Sequence, residues 1–181
     1  MQLLDAAKSF LYGKIKEDDT LVDFTMGNGH DTAYLCSLVP FGKVYAFDIQ
    51  KEALDNTAKL LDEKGYGNAE LILDSHANIA KYVDHFKCGM FNLGYRPGGD
   101  KKVTTLTEST LKAVTDGIEL MEKGGVLVIS VYPGHEEGTR EGEALYKLLS
   151  SYDKVYYSVI QYRMINSPTS PFIFAVEKYD K

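Results

Sequence analysis

Residues 21–32 constrain the fold more than any other part of the sequence. An apolar run leads into a turn that contains Gly27 and Gly29, and a helical pattern follows directly. Glycine permits a tight turn and a close approach of the backbone to a ligand, and the start of a helix offers unpaired N–H groups. A second apolar run ends in Asp48, about 20 residues after the turn. This order of glycine turn and carboxylate predicts a nucleoside-binding α/β fold.

The turn also indicates which nucleoside cofactor fits. It has the pattern Gly-x-Gly-x-x-Thr, so Thr32 stands where dinucleotide-binding proteins have a third glycine. That glycine lets helix and strand pack closely over a pyrophosphate. Asp23 precedes the turn, and its carboxylate would repel a pyrophosphate but suit the ammonium group of a methionine. Both features favour S-adenosylmethionine over a nicotinamide dinucleotide. A strand–helix connection without a ligand is the alternative.

Length and charge limit the classes of function. A chain of 181 residues fits one domain with one core, and we expect residues 1–181 to form a single domain. The formal charge of −6 argues against a general nucleic-acid binder but leaves room for a local cationic patch. The candidates for that patch are Arg96, Lys101, Lys102, Arg140 and Arg163.

Cysteine usage and hydropathy predict the cellular setting. Cys36 and Cys88 are isolated, and the histidines lack metal-ligand spacing, so we expect neither a disulfide framework nor a metal site. The sequence has no apolar stretch long enough to span a bilayer and no signal-peptide pattern at Met1. A cytoplasmic location and no membrane partner are therefore predicted.

Apolar runs alternate with helical patterns along the chain. The predicted helices cover residues 1–13, 31–39, 51–64, 76–85, about 105–122 and 142–151. The predicted strands cover residues 20–25, 43–48, 69–73, 88–92, 125–132, 154–162 and 172–177. This succession predicts a Rossmann-like class I methyltransferase fold: a mostly parallel seven-stranded sheet with a C-terminal antiparallel hairpin and helices on both faces.

Ligands of open α/β sheets bind beyond the carboxyl ends of the strands. At the end of the second strand, we expect Asp48 to bind the ribose and Ile49 to pack against the adenine. Asp48 could also cap the following helix, and the two roles are compatible. At the end of the third strand, Asp74 and Ser75 could reach the adenine edge or cap the next helix.

The fourth and fifth strands end in residues suited to an amine substrate. Asn92-Leu93-Gly94-Tyr95 resembles the Asn-Pro-Pro-Tyr motif of amino-methyltransferases, in which acceptors hold the target amine in line with the methyl group. A polar strand end is the alternative. After the fifth strand, Tyr132 precedes His135, which could act as a general base or be a surface-loop histidine.

Several motifs together resemble one family, the small bacterial family first labelled rRNA methylases, whose better-understood members are MnmM-type tRNA methyltransferases. The resemblance covers nearly the whole chain in the expected order. It rests on Thr25-Met26-Gly27-Asn28-Gly29-His30-Asp31-Thr32, Tyr45-Ala46-Phe47-Asp48-Ile49-Gln50, Phe91-Asn92-Leu93-Gly94-Tyr95, Gly98-Gly99-Asp100-Lys101, Tyr132-Pro133-Gly134-His135 and Pro171-Phe172.

The resemblance implies methyl transfer from S-adenosylmethionine to 5-aminomethyl-2-thiouridine at the tRNA wobble position, which gives 5-methylaminomethyl-2-thiouridine. It also implies two groups of site residues. The cofactor site would include Met26, Gly27, Asn28, Asp31, Thr32, Asp48, Gln50, His76 and Asn92. The residues facing the amine would be Asn92, Tyr95, Tyr132 and His135.

The expected partner is a tRNA anticodon stem-loop, and a homodimer is plausible because a small acidic domain could need a second subunit to build an RNA-binding surface. A ribosomal RNA base or a small-molecule amine is an alternative target. A non-catalytic domain that binds S-adenosylmethionine is a third hypothesis.

Overall fold

The computed structural model describes residues 3–94, 107–134 and 136–179. Within them, seven strands form one sheet in the order β3-β2-β1-β4-β5-β7-β6. The strands are β1 Thr20–Asp23, β2 Lys43–Asp48, β3 Ala69–Leu73, β4 Phe86–Asn92, β5 Met121–Val131, β6 Tyr157–Tyr162 and β7 Phe172–Lys178. Strands β1 to β5 pair in parallel, and β7 pairs antiparallel with both β5 and β6. The predicted parallel sheet with a C-terminal antiparallel hairpin is confirmed.

Helices cover both faces of the sheet, as predicted. They are α1 Leu3–Ser9, α2 His30–Leu38, α3 Lys51–Lys64, α4 Thr107–Leu120 and α5 Glu136–Leu149, with a 3-10 helix at His76–Lys81. Alternation of side chains along β1 divides the core, because Leu21 packs with residues of α1, α2 and α3 while Val22 packs with residues of α4 and α5. None of the helices described is long and apolar enough to cross a membrane.

The strand order reverses direction between β1 and β4. From β1 the chain moves outward through β2 to β3, and then returns to place β4 on the other side of β1. In register, Asp23 of β1 lies opposite Met90 of β4, and Phe24 N donates to Met90 O at 2.9 Å. Ligand sites form at this kind of reversal, beyond the carboxyl ends of the two strands.

Two predicted boundaries were wrong. Helix α5 begins at Glu136 rather than Gly142, because its first turn is acidic and Glu136 pairs with Arg140 one turn later. Gly142 lies inside this helix, where a Cβ would come within 3.1 Å of Phe172 Cζ. Strand β5 begins at Met121 rather than residue 125, because its pairing with β4 shifts register in this region.

Other boundaries moved by a few residues. Helix α1 and the 3-10 helix end earlier than predicted, β1 ends two residues earlier, β4 begins two residues earlier and β6 begins three residues later. The bounds of β2, α3 and β3 match the prediction. The predicted helix cap at Thr105 and most of the loop predicted at residues 94–102 lie outside the described residues.

Glu141 is a buried carboxylate between α4 and α5. Its side chain accepts a hydrogen bond from the Thr110 hydroxyl, and only 3% of the residue is exposed. Burial raises the pKa of Glu141 to about 7, from 4.5 for a free glutamate. Between these two pKa values the folded protein therefore binds more protons than the unfolded chain. Protonated Glu141 contributes to the free energy of unfolding below this range, and the contribution is lost as pH rises through it.

The variant Glu141→Gln should flatten this pH dependence, because an amide keeps the hydrogen bond but does not titrate. We expect the free energy of unfolding of Glu141→Gln, relative to the original protein, to rise by about 2 kcal/mol between about pH 4.5 and pH 8. Urea unfolding at several pH values measures it. Glu143→Gln, an exposed change on the same helix, is the control. Parallel pH profiles for all three proteins would contradict the assignment.

Candidate active site

The glycine turn lies between β1 and α2. Gly27 has a φ of 52° and Gly29 a φ of 82°, both in the left-handed region that favours glycine. Gly29 N donates to Met26 O at 2.7 Å, which closes the turn, and Gly29 is the residue before the first turn of α2. The backbone of the turn is thus held in the conformation that the sequence predicts.

Helix α3 packs directly on this turn. The Thr57 hydroxyl donates to Gly27 O at 3.3 Å, and a Cβ on Gly29 would lie 2.9 Å from Thr57 Cα. The contact joins residues about 30 positions apart. Sequence reasoning missed Thr57, because nothing in its local pattern distinguishes it from another small residue on the buried face of a helix.

Asp48 connects the turn to the end of β2. One carboxylate oxygen accepts a hydrogen bond from Gly27 N at 3.1 Å, and the other accepts from Gln50 N at 3.0 Å. The second bond lies just before α3, whose N-cap residue is Gln50 and has no side-chain cap, so the alternative prediction that Asp48 caps this helix is wrong. A carboxylate has about four acceptor sites, so it retains capacity for a ligand. Next to it, Ile49 is 56% exposed, as an apolar side chain that packs against a planar ligand would be.

Asp23 is completely buried beneath the turn. Its oxygens accept hydrogen bonds from Thr25 N at 3.1 Å and from the Thr32 hydroxyl at 2.6 Å. Burial, with a smaller contribution from the charge of Asp31, raises the pKa of Asp23 to about 7. The side chains of Asp23 and Thr32 therefore support the turn from below, and their contact with the cofactor stays a prediction.

Asp31 and Asn92 form the central pair of the site. Asn92 Nδ2 donates to the Asp31 carboxylate, and the Thr25 hydroxyl donates to Asn92 O at 2.7 Å. Asn92 Oδ1 is buried and has no hydrogen-bond partner among the described residues. Because the amide nitrogen and the backbone are both fixed, this oxygen is an oriented acceptor, the group that the sequence predicts for an amine substrate.

The electrostatics of this pair depend on α1. Burial raises the pKa of Asp31, and the positive charge of Lys8 opposes the shift. Lys8 Nζ also lies 4.4 Å from the centroid of the Tyr34 ring. Sequence reasoning missed Lys8, since a single lysine in a surface helix carries no motif and its approach to Asp31 depends on how α1 docks.

Tyr132 follows β5 on the same side of the site. The residue is half-buried, and burial together with the charge of Asp31 raises the pKa of its phenol. A Cβ on Gly94 would lie 3.6 Å from Tyr132 Cδ2, so the ends of β4 and β5 meet here. Tyr95 and His135, the other two residues predicted to face the amine, lie outside the described residues.

His76 begins the 3-10 helix after β3. The residue is 8% exposed, and its ring centroid lies 4.7 Å from that of Phe91. Burial lowers the pKa of His76 to about 4, although a hydrogen bond with the backbone of Phe24 opposes the shift. The imidazole is therefore neutral at physiological pH. Its Nε2 is buried without a partner among the described residues.

The side chains of the two residues before His76 form hydrogen bonds with residues close to them in the chain. The Ser75 hydroxyl accepts from Ala77 N at 3.2 Å and caps the 3-10 helix, which was the alternative prediction. The Asp74 carboxylate accepts from Asn78 Nδ2 at 2.9 Å and from the Tyr82 hydroxyl at 2.8 Å. These bonds hold the pKa of Asp74 below its usual value.

The arrangement can orient a neutral amine without a metal. The start of α2 and the ends of β4 and β5 bring Asp31, Asn92 and Tyr132 together, while Asp48 at the end of β2 contacts the glycine turn. In the described part of the chain, no three His, Cys, Asp or Glu side chains cluster closely enough to hold a metal ion.

Comparisons with known proteins agree with this geometry. The family described as "Putative rRNA methylase" matches residues 44–177. A tRNA (mnm(5)s(2)U34)-methyltransferase, chloroplastic, of Arabidopsis thaliana is 33% identical over 173 residues. That match covers 88% of this chain, and the chain spans 63% of the length of the Arabidopsis protein.

Two solved structures are similar over almost the whole chain. A protein from Clostridium thermocellum described as "putative rRNA-methylase" is 37% identical, with a TM-score of 0.95 and 98% coverage of both chains. A protein from Streptococcus mutans described as "a putative methyltransferase", in complex with SAH, is 36% identical, with a TM-score of 0.91 and 98% coverage of both chains.

Proposed function

Because the chain belongs to the rRNA methylase family, we propose that it methylates an amine, with S-adenosylmethionine as the methyl donor. The substrate that we propose is 5-aminomethyl-2-thiouridine at the tRNA wobble position, and the product is 5-methylaminomethyl-2-thiouridine. The observation that carries the proposal is the buried, unpaired Oδ1 of Asn92, held in place by Asp31. The Arabidopsis relative and the SAH complex of the Streptococcus mutans relative support it.

The residues around the turn fit the cofactor. In this proposal Asp48 accepts hydrogen bonds from the ribose hydroxyls, and the exposed Ile49 packs on the adenine beside Gln50. The backbone at Met26, Gly27, Asn28 and Gly29 approaches the ligand closely. Ser75 and His76 border the adenine, where the unpaired Nε2 of His76 is an acceptor. Asp31, rather than the buried Asp23, is the carboxylate for the methionine ammonium.

S-adenosylmethionine supplies a methyl group activated by attachment to a sulfonium. The nitrogen lone pair of the substrate forms the new N–C bond while the C–S bond breaks, the electron pair stays on sulfur, and the nitrogen then loses a proton. Asn92 Oδ1 accepts an N–H of the amine and aims its lone pair at the methyl group. The negative charge of Asp31 favours the positive charge that develops on nitrogen.

The remaining predicted residues have roles that rest on the sequence. Tyr95 would pack against the target base, Tyr132 would border the amine, and His135 would accept the proton lost from the nitrogen. The cytoplasmic location and the homodimer likewise stay predictions, and the Arabidopsis relative is described as chloroplastic.

The direct test is methyl transfer from labelled S-adenosylmethionine to bulk tRNA that carries the aminomethyl group but lacks the final methyl. Nucleoside mass analysis should show one added methyl on 5-aminomethyl-2-thiouridine. Because the family is described by the term rRNA methylase, an amine in ribosomal RNA is the second candidate substrate. Label in ribosomal RNA with none in tRNA would replace the first substrate with the second. Tight cofactor binding without transfer to either RNA, or to small amines, would instead indicate a non-catalytic domain.

The ribose assignment has its own test. Asp48→Ala should weaken binding of S-adenosylmethionine by about 1–3 kcal/mol, because the ribose hydroxyls and Gly27 N would lose their acceptor. Isothermal titration measures the change. Asp55→Ala removes an exposed carboxylate from α3 that is paired with Lys51, and it should leave the affinity unchanged. Equal affinities for Asp48→Ala and the unmodified protein would remove Asp48 from the ribose site.

A further inference from the structure

A second cavity lies beside the proposed methyl-transfer site. It has a volume of about 430 Å³, within the range of small-molecule pockets. One wall is the face of α5 that carries Thr139, Glu143 and Tyr146, and the other is formed by the β6–β7 connection and Phe172. Pro133, which directly follows Tyr132, is part of its lining. The cavity is therefore adjacent in the chain to a residue that borders the proposed amine.

The opposite wall holds a fixed cation. The Arg163 guanidinium lies 5.1 Å from the centroid of the Phe172 ring, and it donates a hydrogen bond to Pro168 O at 3.0 Å. A guanidinium has five N–H donors in one plane, so a ligand can use others or stack on that plane. Glu143 and Gln161 add hydrogen-bonding groups to the lining.

The elements that form the cavity carry exposed apolar side chains. Tyr146 is 58% exposed, and in the β6–β7 connection Met164 is 53% and Ile165 is 95% exposed. Exposed apolar side chains that cluster at a concave site mark a surface that binds a partner. Proteins recognise unpaired RNA bases by stacking them on aromatic rings or arginine guanidinium groups and by hydrogen bonds to the edges of the bases. The lining of this cavity contains both kinds of group.

We propose that this cavity binds one unpaired nucleotide of the RNA, the direct neighbour of the nucleotide that is methylated. The base lies against Tyr146 and the Arg163 guanidinium, and its polar edge meets Glu143 and Gln161. This inference rests on the proposed function, because it requires an RNA substrate. It also accounts for how a chain with a net charge of −6 holds a polyanion, since base stacking at a fixed arginine lessens the need for a broad basic surface.

The test combines a change in the protein with a change in the RNA. Fluorescence anisotropy measures binding of a labelled anticodon stem-loop that carries the wobble amine. It also measures binding of two versions with an abasic site on the 5′ or the 3′ side of the target. One abasic version should bind the original protein about tenfold more weakly than the intact stem-loop, which is the range for loss of one base–aromatic stack. In Tyr146→Ala and Arg163→Ala the same abasic change should have almost no effect.

Two matched controls separate the cavity from general charge and surface effects. Arg140→Ala removes a cation that pairs with Glu136 on the same helix, and Tyr156→Ala removes a tyrosine that is 56% exposed at the start of the hairpin. Neither side chain lines the cavity. Both variants should keep the tenfold difference between intact and abasic RNA. Melting temperatures confirm that all four variants are folded.

Three outcomes would overturn the inference. Equal sensitivity of all proteins to the abasic sites would show that the cavity does not hold a base. An equal loss of affinity in Arg140→Ala and Arg163→Ala would indicate general electrostatic attraction. A change of oligomeric state in Tyr146→Ala, measured by sedimentation without a change in RNA affinity, would make the cavity a protein interface. Failure of the proposed function is recognised separately, because the original protein would then not methylate the intact stem-loop at all.

Discussion

Replacing Asn92 with alanine is expected to lower kcat for methyl transfer roughly 100- to 1,000-fold, the usual effect of losing one oriented hydrogen-bonding group in an active site. The affinity for S-adenosylmethionine should change far less. The reason is that Asn92 Oδ1 is the buried acceptor available to the amine, whereas Asp48 and the turn bind the nucleoside. Single-turnover methyl transfer to the anticodon stem-loop measures the rate, and Asn56→Ala, an exposed change on α3, is the control.

The orienting role of Asp31 can be separated from that of Asn92 by a double-mutant cycle. Asp31→Asn removes the charge that fixes Asn92 Nδ2, so it should slow methyl transfer in the original protein. In an Asn92→Ala background, with S-adenosylmethionine at saturation, it should slow the reaction less, because there is no amide left to orient and only the effect of the Asp31 charge on the developing positive charge remains. Additive effects of the two changes would show that Asp31 acts independently of Asn92. An unchanged rate in Asn92→Ala would remove the amide from the reaction.

Gly29→Ala is expected to lower the free energy of unfolding by about 2–5 kcal/mol, the sum of left-handed backbone strain and overpacking. Its φ of 82° disfavours any side chain, and the added Cβ would lie 2.9 Å from the backbone of α3 at Thr57. Because α3 follows Asp48, pushing it away should also weaken binding of S-adenosylmethionine. Urea unfolding and isothermal titration measure the two effects.

Gly27→Ala is the matched comparison for this prediction. Gly27 has a φ of 52°, but a Cβ there would meet nothing within 4 Å. This variant should lose only the strain contribution, about 1–2 kcal/mol. If both alanine variants were equally unstable, the contact between α3 and the turn would not matter. If neither were destabilised, the turn would not need glycine at either position.

The family match and the structural similarities point to the same class of enzyme, and they extend over different lengths of the chain. The family match begins at residue 44, after the glycine turn, Asp31 and Thr32. The structural similarity to the Clostridium thermocellum and Streptococcus mutans proteins extends over 98% of the chain.

Local sequence patterns determined the order of the elements and, for three of them, their bounds. The bounds of β2, α3 and β3 followed from apolar periodicity and from Gly65, which adopts a left-handed φ of 73° at the end of α3. The candidate residues at the strand ends also followed, because parallel strands in such a sheet all end at one edge. Periodicity reports which face of an element is buried, and that information is contained in a few consecutive residues.

Only the tertiary structure decided which of these residues meet. Asp31 and Asn92 are 61 positions apart, and they touch because β4 pairs beside β1. Asp23 is completely buried beneath the turn, where it accepts a hydrogen bond from the Thr32 hydroxyl, and this support of the turn is visible only in the structure. Close packing against Phe172 likewise explains a glycine inside α5, where sequence rules favoured a helix start. These contacts depend on the strand order and on how helices dock, and neither is encoded in the local pattern.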